Sequence, residues 1–440
     1  MDILIKIAQL FLCFTILVGI HELGHFLMAR AFKIRVEKFY IFFDPWFSLF
    51  KFKRGDTEYG LGWLPLGGYV KIAGMIDESM DKEQMKQPVK PDEFRAKPAW
   101  QRLLVMVAGV MMNVLLAIVI YCAVCYTWGD SYFSNQDAKW GYNFNPTAHE
   151  MGFRDGDRFV SIDGEEIDNV MRGQNDLLIT DGGRRVIVER GGEPVTLDIP
   201  FESLLRMRQE KAYEDLFTLR LPFIVDSVSY TSAVEAGLES GDEVVAIDDL
   251  RDADYPRYRD YLQKHKNDKV LLTVRRDGAL IDSLALPVDA EGRIGVTVTN
   301  PYSLRTQYYT FWESIPAGIH KAGKTISSYW DQLKLIVQPK TKMYEELGGF
   351  VAIGSIFPGS WDWHDFWLKT AFLSIILAVM NLLPIPGLDG GHALFTLWEI
   401  ITRRKPSEKF LEVAQYVGLM IILALLVYAN GNDIYRFFIK

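Results

Sequence analysis

The feature that most restricts this chain is an apolar run, Ile3 to Leu27, that contains Gly19-Ile20-His21-Glu22-Leu23-Gly24-His25-Phe26. About 20 apolar residues suffice for a membrane-spanning helix, and ionisable groups at that depth are costly enough to need a functional partner. On a helix His21 and His25 lie one turn apart on the same face, so both imidazoles can reach a single ion. Two neutral imidazoles with one further ligand hold zinc and leave a fourth position for water, and the adjacent Glu22 can take that water's proton. The pattern therefore points to zinc-dependent hydrolysis inside a membrane segment. Neither a proton relay nor simple helix pairing requires this spacing.

Three further segments are candidate spans: Leu103 to Tyr126, Trp367 to Leu383, and Tyr416 to Tyr428 with its flanks. Residues 30 to 102 carry 14 Lys and Arg, and a basic cluster, Arg403, Arg404, Lys405 and Lys409, follows the third segment. The positive-inside rule puts both of these loops in the cytoplasm, and both termini and the 127–366 insert outside it. Where a signal peptide would carry a small-residue cleavage site, the first run meets His21 and Glu22, so it reads as a retained span. The insert holds 39 Asp and Glu against 26 Lys and Arg, a net of −13. That balance describes an acidic soluble module and argues against nucleic acid as a partner. Cys13, Cys122 and Cys125 all fall in apolar segments and indicate no disulfide framework.

In the first basic loop, the stretch from Tyr59 to Gly74 mixes alternating apolar residues with glycines. This predicts short strands with tight bends, buried at the membrane edge. It is either an ordinary hairpin packed on the protein or a strand edge able to pair with an extended substrate. Residues 77 to 98 are rich in Asp, Glu, Lys, Gln and Pro and read as a solvated connector.

The insert contains a repeat. The stretch Ala148 to Gly164 recurs as Ala233 to Asp249, with Gly152, Gly156 and Asp163 matched by Gly237, Gly241 and Asp248 at one constant offset. Self-similarity of this kind means two copies of one small domain. The pattern, a short helix turning through Gly into a strand that carries an Asp, resembles the PDZ domain, which binds chain ends or extended peptides by strand addition. The copies either bind in that way or only shape access to the membrane part. After them, Phe311 to Val337 has a helical apolar period and is expected to lie along the outer membrane surface or to cover the repeat pair.

The third span closes in Asn381-Leu382-Leu383-Pro384-Ile385-Pro386-Gly387-Leu388-Asp389-Gly390-Gly391-His392. Prolines stop the helix, and glycines on either side of Asp389 free the backbone to turn its carboxylate inward. A buried lone Asp is costly, and a zinc ion removes that cost and gives Asp389 a ligand's role. The alternative is a cap or turn at the membrane surface. His392, the competing ligand, falls on the cytoplasmic side of the break, where it is expected to hydrogen-bond in the turn.

HELGH in a first span, this closing motif in a third, and paired repeats between the second and third spans resemble the bacterial site-2 intramembrane zinc metalloproteases over nearly the whole chain. The resemblance implies a polytopic α-helical membrane protein with four transmembrane helices, a membrane re-entrant β segment at 59–74 and two inserted PDZ-like α+β domains. It implies zinc held by His21, His25 and Asp389, Glu22 as catalytic base, and substrate handling by Asn381, Pro384 and Pro386. Gly67, Gly68, Tyr69 and Val70 of the β segment are expected to join the latter group. The implied setting is the bacterial inner membrane, with termini and PDZ pair periplasmic and the active site towards the cytoplasm. The implied substrates are single-pass transmembrane proteins, among them an anti-sigma factor already trimmed on its outer side, and remnant signal peptides. Two departures are Val110 and Phe350, which stand where the family usually has Pro.

The expected organisation is a first membrane part at 1–126, PDZ-like domains at 127–220 and 221–305, a periplasmic amphipathic linker at 306–366, and a second membrane part at 367–440. One alternative is a PDZ-bearing membrane scaffold with a vestigial metal site, against which the intact His21, Glu22, His25 and Asp389 stand. Another, a membrane-anchored protease acting on soluble chains, would need its metal motif in the insert, where none occurs.

Overall fold

The computed structural model describes residues 2–64, 67–75, 88–169, 177–209, 213, 216–251 and 254–439. Pro65 and Leu66 of the glycine-rich stretch, and residues 77–87 of the expected connector, lie outside the described residues. The chain divides into two compact units, Met1–Asp130 with Gln307–Lys440, and Ser131–Thr306.

The first unit runs from α1 (Asp2–Ala31) through strands β1 (Val36–Ile41), β2 (Phe43–Arg54), β3 (Thr57–Leu64) and β4 (Tyr69–Ile72) to α2 (Ala99–Trp128). It resumes with α3 (Phe311–Val337), α4 (Phe350–Ser355), α5 (Trp363–Leu382), α6 (Asp389–Thr402) and α7 (Glu408–Ile434). Among the described residues four helices are long and apolar enough to cross a membrane: α1, α2, α5 and Lys409–Phe437, which contains most of α7. Local chemistry sets their ends. Asp362 caps α5 by accepting from the His364 and Asp365 N–H groups, and the helix stops just before Pro384. Gly129, at φ 72°, closes α2 through its N–H to the Cys125 carbonyl.

Small residues let these helices approach closely, as bilayer packing requires. A Cβ on Gly24 of α1 would lie 2.5 Å from the Ala108 carbonyl oxygen of α2, and one on Gly318 of α3 would lie 2.6 Å from the Cys122 backbone nitrogen. The α3 helix belongs to the first unit. Ala322, Ile326, Tyr329 and Leu333 pack with Ala117, Ile120 and Tyr121 of α2 and Ala371 and Ile375 of α5. Part of its apolar face is thus used within the first unit, while Phe311, Trp312, Ile319 and Trp330 stay exposed. The segment before α5 docks on α7, where the Phe350 and Ala352 N–H groups donate to Asn430 and Asp433.

The four strands form one sheet in the order β2-β3-β1-β4. The expected short strands in 59–74 are β3 and β4, and β1 and β2 are additions from sequence read only as loop. β1 pairs parallel with β3 and antiparallel with β4, so among the described residues β4 is the edge strand on that side. Its inner face packs on α1 and α2 through Val36, Val70, Ile72, Ala29 and Val105. The outer strand β2 exposes Phe47, Leu49, Phe50, Phe52 and Trp46, the last 91 % exposed.

In the second unit both repeat copies have the same local build. Gly152 and Gly237 take φ 101° and 88° after their short helices, and Asp163 and Asp248 both stand at φ 51°. Each of these Asp residues accepts a backbone N–H from the neighbouring strand, Arg185 in one copy and Leu271 in the other. In each copy an arginine grips a fully buried Asp and the turn Gly carbonyl together: Arg190 on Asp157 and Gly152, Arg276 on Asp242 and Gly237. The sheets around these turns have separate cores, one holding Phe153, Phe159 and Val186, the other Leu238, Val244 and Val270.

Candidate metal centre

His21 and His25 lie on the buried face of α1, as their spacing requires, and Asp389 is the first residue of α6. The glycines beside Asp389 act differently from the expectation. Gly387 alone makes the left-handed turn, at φ 96°. Gly390 and Gly391 are helical, and a Cβ on either would collide with the carbonyls of Leu383 or Ile385, so they are needed for close approach.

The three candidate ligands converge. The Nε2 atoms of His21 and His25 are 3.3 Å apart, and Oδ2 of Asp389 is 3.1 Å from the first and 3.3 Å from the second. Zinc bonds of about 2.0–2.1 Å arranged tetrahedrally separate neighbouring ligand atoms by about 3.3 Å, so the three stand as corners of such a site. Oδ2 of Asp389 is buried and receives no hydrogen bond, which is the state of a carboxylate oxygen built to face a cation. The residues present therefore fit zinc. Among the described residues His21, His25 and Asp389 are the group that could share an ion. His392, the competitor, lies in the first turn of α6 and lines the adjoining cavity without joining the cluster.

Helix α2 shapes the back of the centre, a contribution that the sequence reading missed. The Val105 carbonyl is 2.8 Å from Nδ1 of His25 and accepts its proton, leaving Nε2 to face the other ligands. A Cβ on Gly109 would strike His25 Nε2 and sit 2.7 Å from His21 Cε1. Asn113, fully buried, is 3.3 Å from Nδ1 of His21. The available signal was a lone amide in an apolar span, four residues beyond a glycine.

A cavity of about 700 Å³ opens on the centre. It is lined by Glu22, by Gly67, Gly68, Tyr69 and Val70 of the β4 edge, and by Asn381. The Glu22 carboxylate accepts the backbone N–H of Val70, which ties it to that edge. Gly68 is required there, because a Cβ would lie 2.7 Å from the Tyr40 carbonyl oxygen and 2.8 Å from Val18. Tyr69 donates to Asp44, and burial together with that carboxylate pushes its phenol well above the ordinary value, so it stays a neutral donor. The Asn381 amide is 3.5 Å from His21 Nε2. Pro384 and Pro386 do not line the cavity: Pro384 is exposed, and the Pro386 backbone packs on Gly418. They shape the helix end that presents Asn381 and Asp389.

The model of peptidase family M50 matches residues 9–425. A Clostridium perfringens protein named as a zinc metalloprotease is 30 % identical over 427 residues, with 96 % of each chain covered. A Vibrio cholerae protein named in the same way is 28 % identical over 461 residues, with 99 % of each chain covered. A Haemophilus influenzae protein named regulator of sigma E protease is 27 % identical over 460 residues, covering 99 % of this chain and all of its own.

Proposed function

The chain belongs to peptidase family M50 and is a multi-pass membrane zinc metalloprotease, and from that premise we propose that it cuts single-pass membrane proteins within their transmembrane segments. The observation that carries this reading is the convergence of His21, His25 and Asp389 on one point inside a bundle of spanning helices. Zinc bound there would polarise the scissile carbonyl and acidify the attacking water. Glu22 takes the proton from that water and later returns it to the leaving amine, its carboxylate held in place by the Val70 N–H. The Asn381 amide donates to the carbonyl oxygen as charge develops on it.

A helical substrate hides its carbonyls in its own hydrogen bonds and must be unwound before attack. The β4 edge strand borders the same cavity as Glu22, so an unwound segment can lie extended along it and across the centre. The exposed Trp46, Phe47, Leu49, Phe50 and Phe52 on β2 suit a sheet dipping into the bilayer edge, the re-entrant segment. The basic loops support an orientation with this face in the cytoplasm and the termini and PDZ-like pair in the periplasm of an inner membrane. In that position the pair filters substrates by bulk. An anti-sigma factor pre-trimmed outside and remnant signal peptides are substrates of that kind, and the Haemophilus relative's name, regulator of sigma E protease, is in keeping with a role in sigma-factor control.

The test is metal analysis and cleavage of a model single-span substrate by detergent-purified protein. Parent protein should carry about one zinc and cut within the span, while Glu22→Gln should keep the zinc and lose cleavage. A Glu22→Gln variant retaining a tenth of the parent rate would remove Glu22 from the role of base.

A further inference from the structure

The face of α2 that meets the centre presents three positions four residues apart. These are the Val105 carbonyl, which accepts from Nδ1 of His25, the bare Gly109, which makes room for both rings, and Asn113, which faces Nδ1 of His21. Spacing by four residues on a helix gives one contiguous stripe. Along it the two rings are contacted at the same atom, but by different groups.

For His21 the placing of the proton decides whether the ring can hold a metal. If the Asn113 NH2 donates to Nδ1, the ring proton must sit on Nε2, the atom aimed at Asp389 and His25. A protonated Nε2 has no lone pair for an ion. Amide nitrogen and oxygen exchange places by a half-turn of the side chain. Oδ1 of Asn113 is buried and has no hydrogen-bond partner as placed. The half-turn brings that oxygen to the ring, where it accepts Nδ1–H and frees Nε2, the same arrangement that Val105 imposes on His25. Backbone anchoring fixes the side chain's origin: the Asn113 carbonyl accepts from the fully buried Ser374 of α5 at 2.8 Å.

We infer that Asn113 is a positioning residue for the metal centre, its side-chain oxygen holding His21 in the Nδ1–H tautomer so that Nε2 is free to ligate. This deepens the zinc reading above and rests on it. Outer hydrogen bonds of this type change metal affinity by about 10–100-fold.

The experiment uses the full chain in detergent and measures zinc affinity by chelator competition, with the visible spectrum of the cobalt-substituted protein as a second readout. Asn113→Leu, close in size but without an acceptor, should bind zinc about 10–100-fold more weakly and alter the cobalt spectrum. Asn113→Asp restores an acceptor at the same place and should bind within a few-fold of the parent. Parent-like affinity and spectrum in Asn113→Leu would overturn the inference, and so would an Asn113→Asp variant as weak as Asn113→Leu, since only packing would then matter. Should Asn113→Leu not fold, Asn113→Asp against Asn113→Ser decides the same question, because serine is too short to reach the ring. Zinc binding by Asp389→Ala equal to the parent's would instead overturn the underlying ligand assignment, and a parent that takes up no zinc would sink both.

Discussion

Nδ1 of His25 lies 2.8 Å from the carbonyl oxygen of Val105, a bond between two spanning helices that commits one imidazole to a single tautomer. The acceptor is backbone, so it survives any side-chain change at 105, and it fixes how α2 seats against α1. The candidate centre is thus held from two sides, by α2 behind the rings and by α6 in front.

The seating of α2 makes Gly109 a sensitive position beside the ligands. A Cβ there would overlap His25 Nε2, and relieving overlaps of this kind costs about 1–3 kcal/mol. Gly109→Ala should therefore bind zinc roughly 5–150-fold more weakly by chelator competition, with its melting curve little changed. Unaltered zinc affinity would mean that the helices can separate at no cost.

Removing the carboxylate of Asp389 should lower zinc content and cleavage together, because the two imidazoles alone make an incomplete site. Elemental analysis of Asp389→Ala decides it. Full occupancy would pass the third-ligand role to another group, His392 first, since it lines the same cavity.

Gly68 tests the strand edge apart from the metal. Valine at that position would press on the Tyr40 carbonyl, Val18 and the Glu22 side chain, the three nearest neighbours of a Cβ there, and lift β4 from α1. Gly68→Val should keep its zinc and cut a single-span substrate at least ten-fold more slowly. Parent-like cleavage would remove the edge from substrate binding.

Gly237 tests the filter. It stands at φ 88°, and a Cβ there would meet only Leu284 Cδ2 at 3.9 Å, an ordinary contact, so Gly237→Val is strained through its backbone, by about 1–3 kcal/mol. If the pair excludes by bulk, this variant should cut a substrate still carrying its outer domain, which the parent spares, and cut a pre-trimmed one as the parent does. A receptor would instead lose activity on the trimmed substrate, and unchanged behaviour on both would clear this copy of any selecting role.

The second copy should also be acid-sensitive. Burial pushes the Asp242 carboxyl up, but the Arg276 guanidinium and the Glu239 N–H outweigh it and hold the group below the ordinary carboxylate value. A depressed folded-state value stabilises the fold above the unfolded-chain value, about 4, and that contribution is lost as pH falls through the folded-state value. Melting followed by circular dichroism should drop between about pH 5 and pH 3 in the parent. Asp242→Asn should melt lower at neutral pH and fall less steeply; identical slopes would take Asp242 out of the acid response.

What the residues determine by themselves is local or periodic. The His21 and His25 pairing follows from helical spacing, the spans from apolar length, the repeat from a constant offset, and Asp389 from a polar residue set among Pro and Gly where a helix must stop. These signals need no knowledge of what lies across the fold. The tertiary structure decided the rest. Val105 and Asn113 meet the imidazoles only because Gly24 and Gly109 let α1 and α2 approach closely, and a backbone carbonyl leaves no mark in the identity of its residue. Val70 reaches Glu22 because β4 is an edge strand, which in turn depends on β1 inserting between β3 and β4. The same limit explains α3: its amphipathic period announced a buried face, but only packing shows that Ala322, Ile326, Tyr329 and Leu333 meet α2 and α5. Periodicity states that a face must be covered, and which partner covers it depends on contacts between residues distant in sequence.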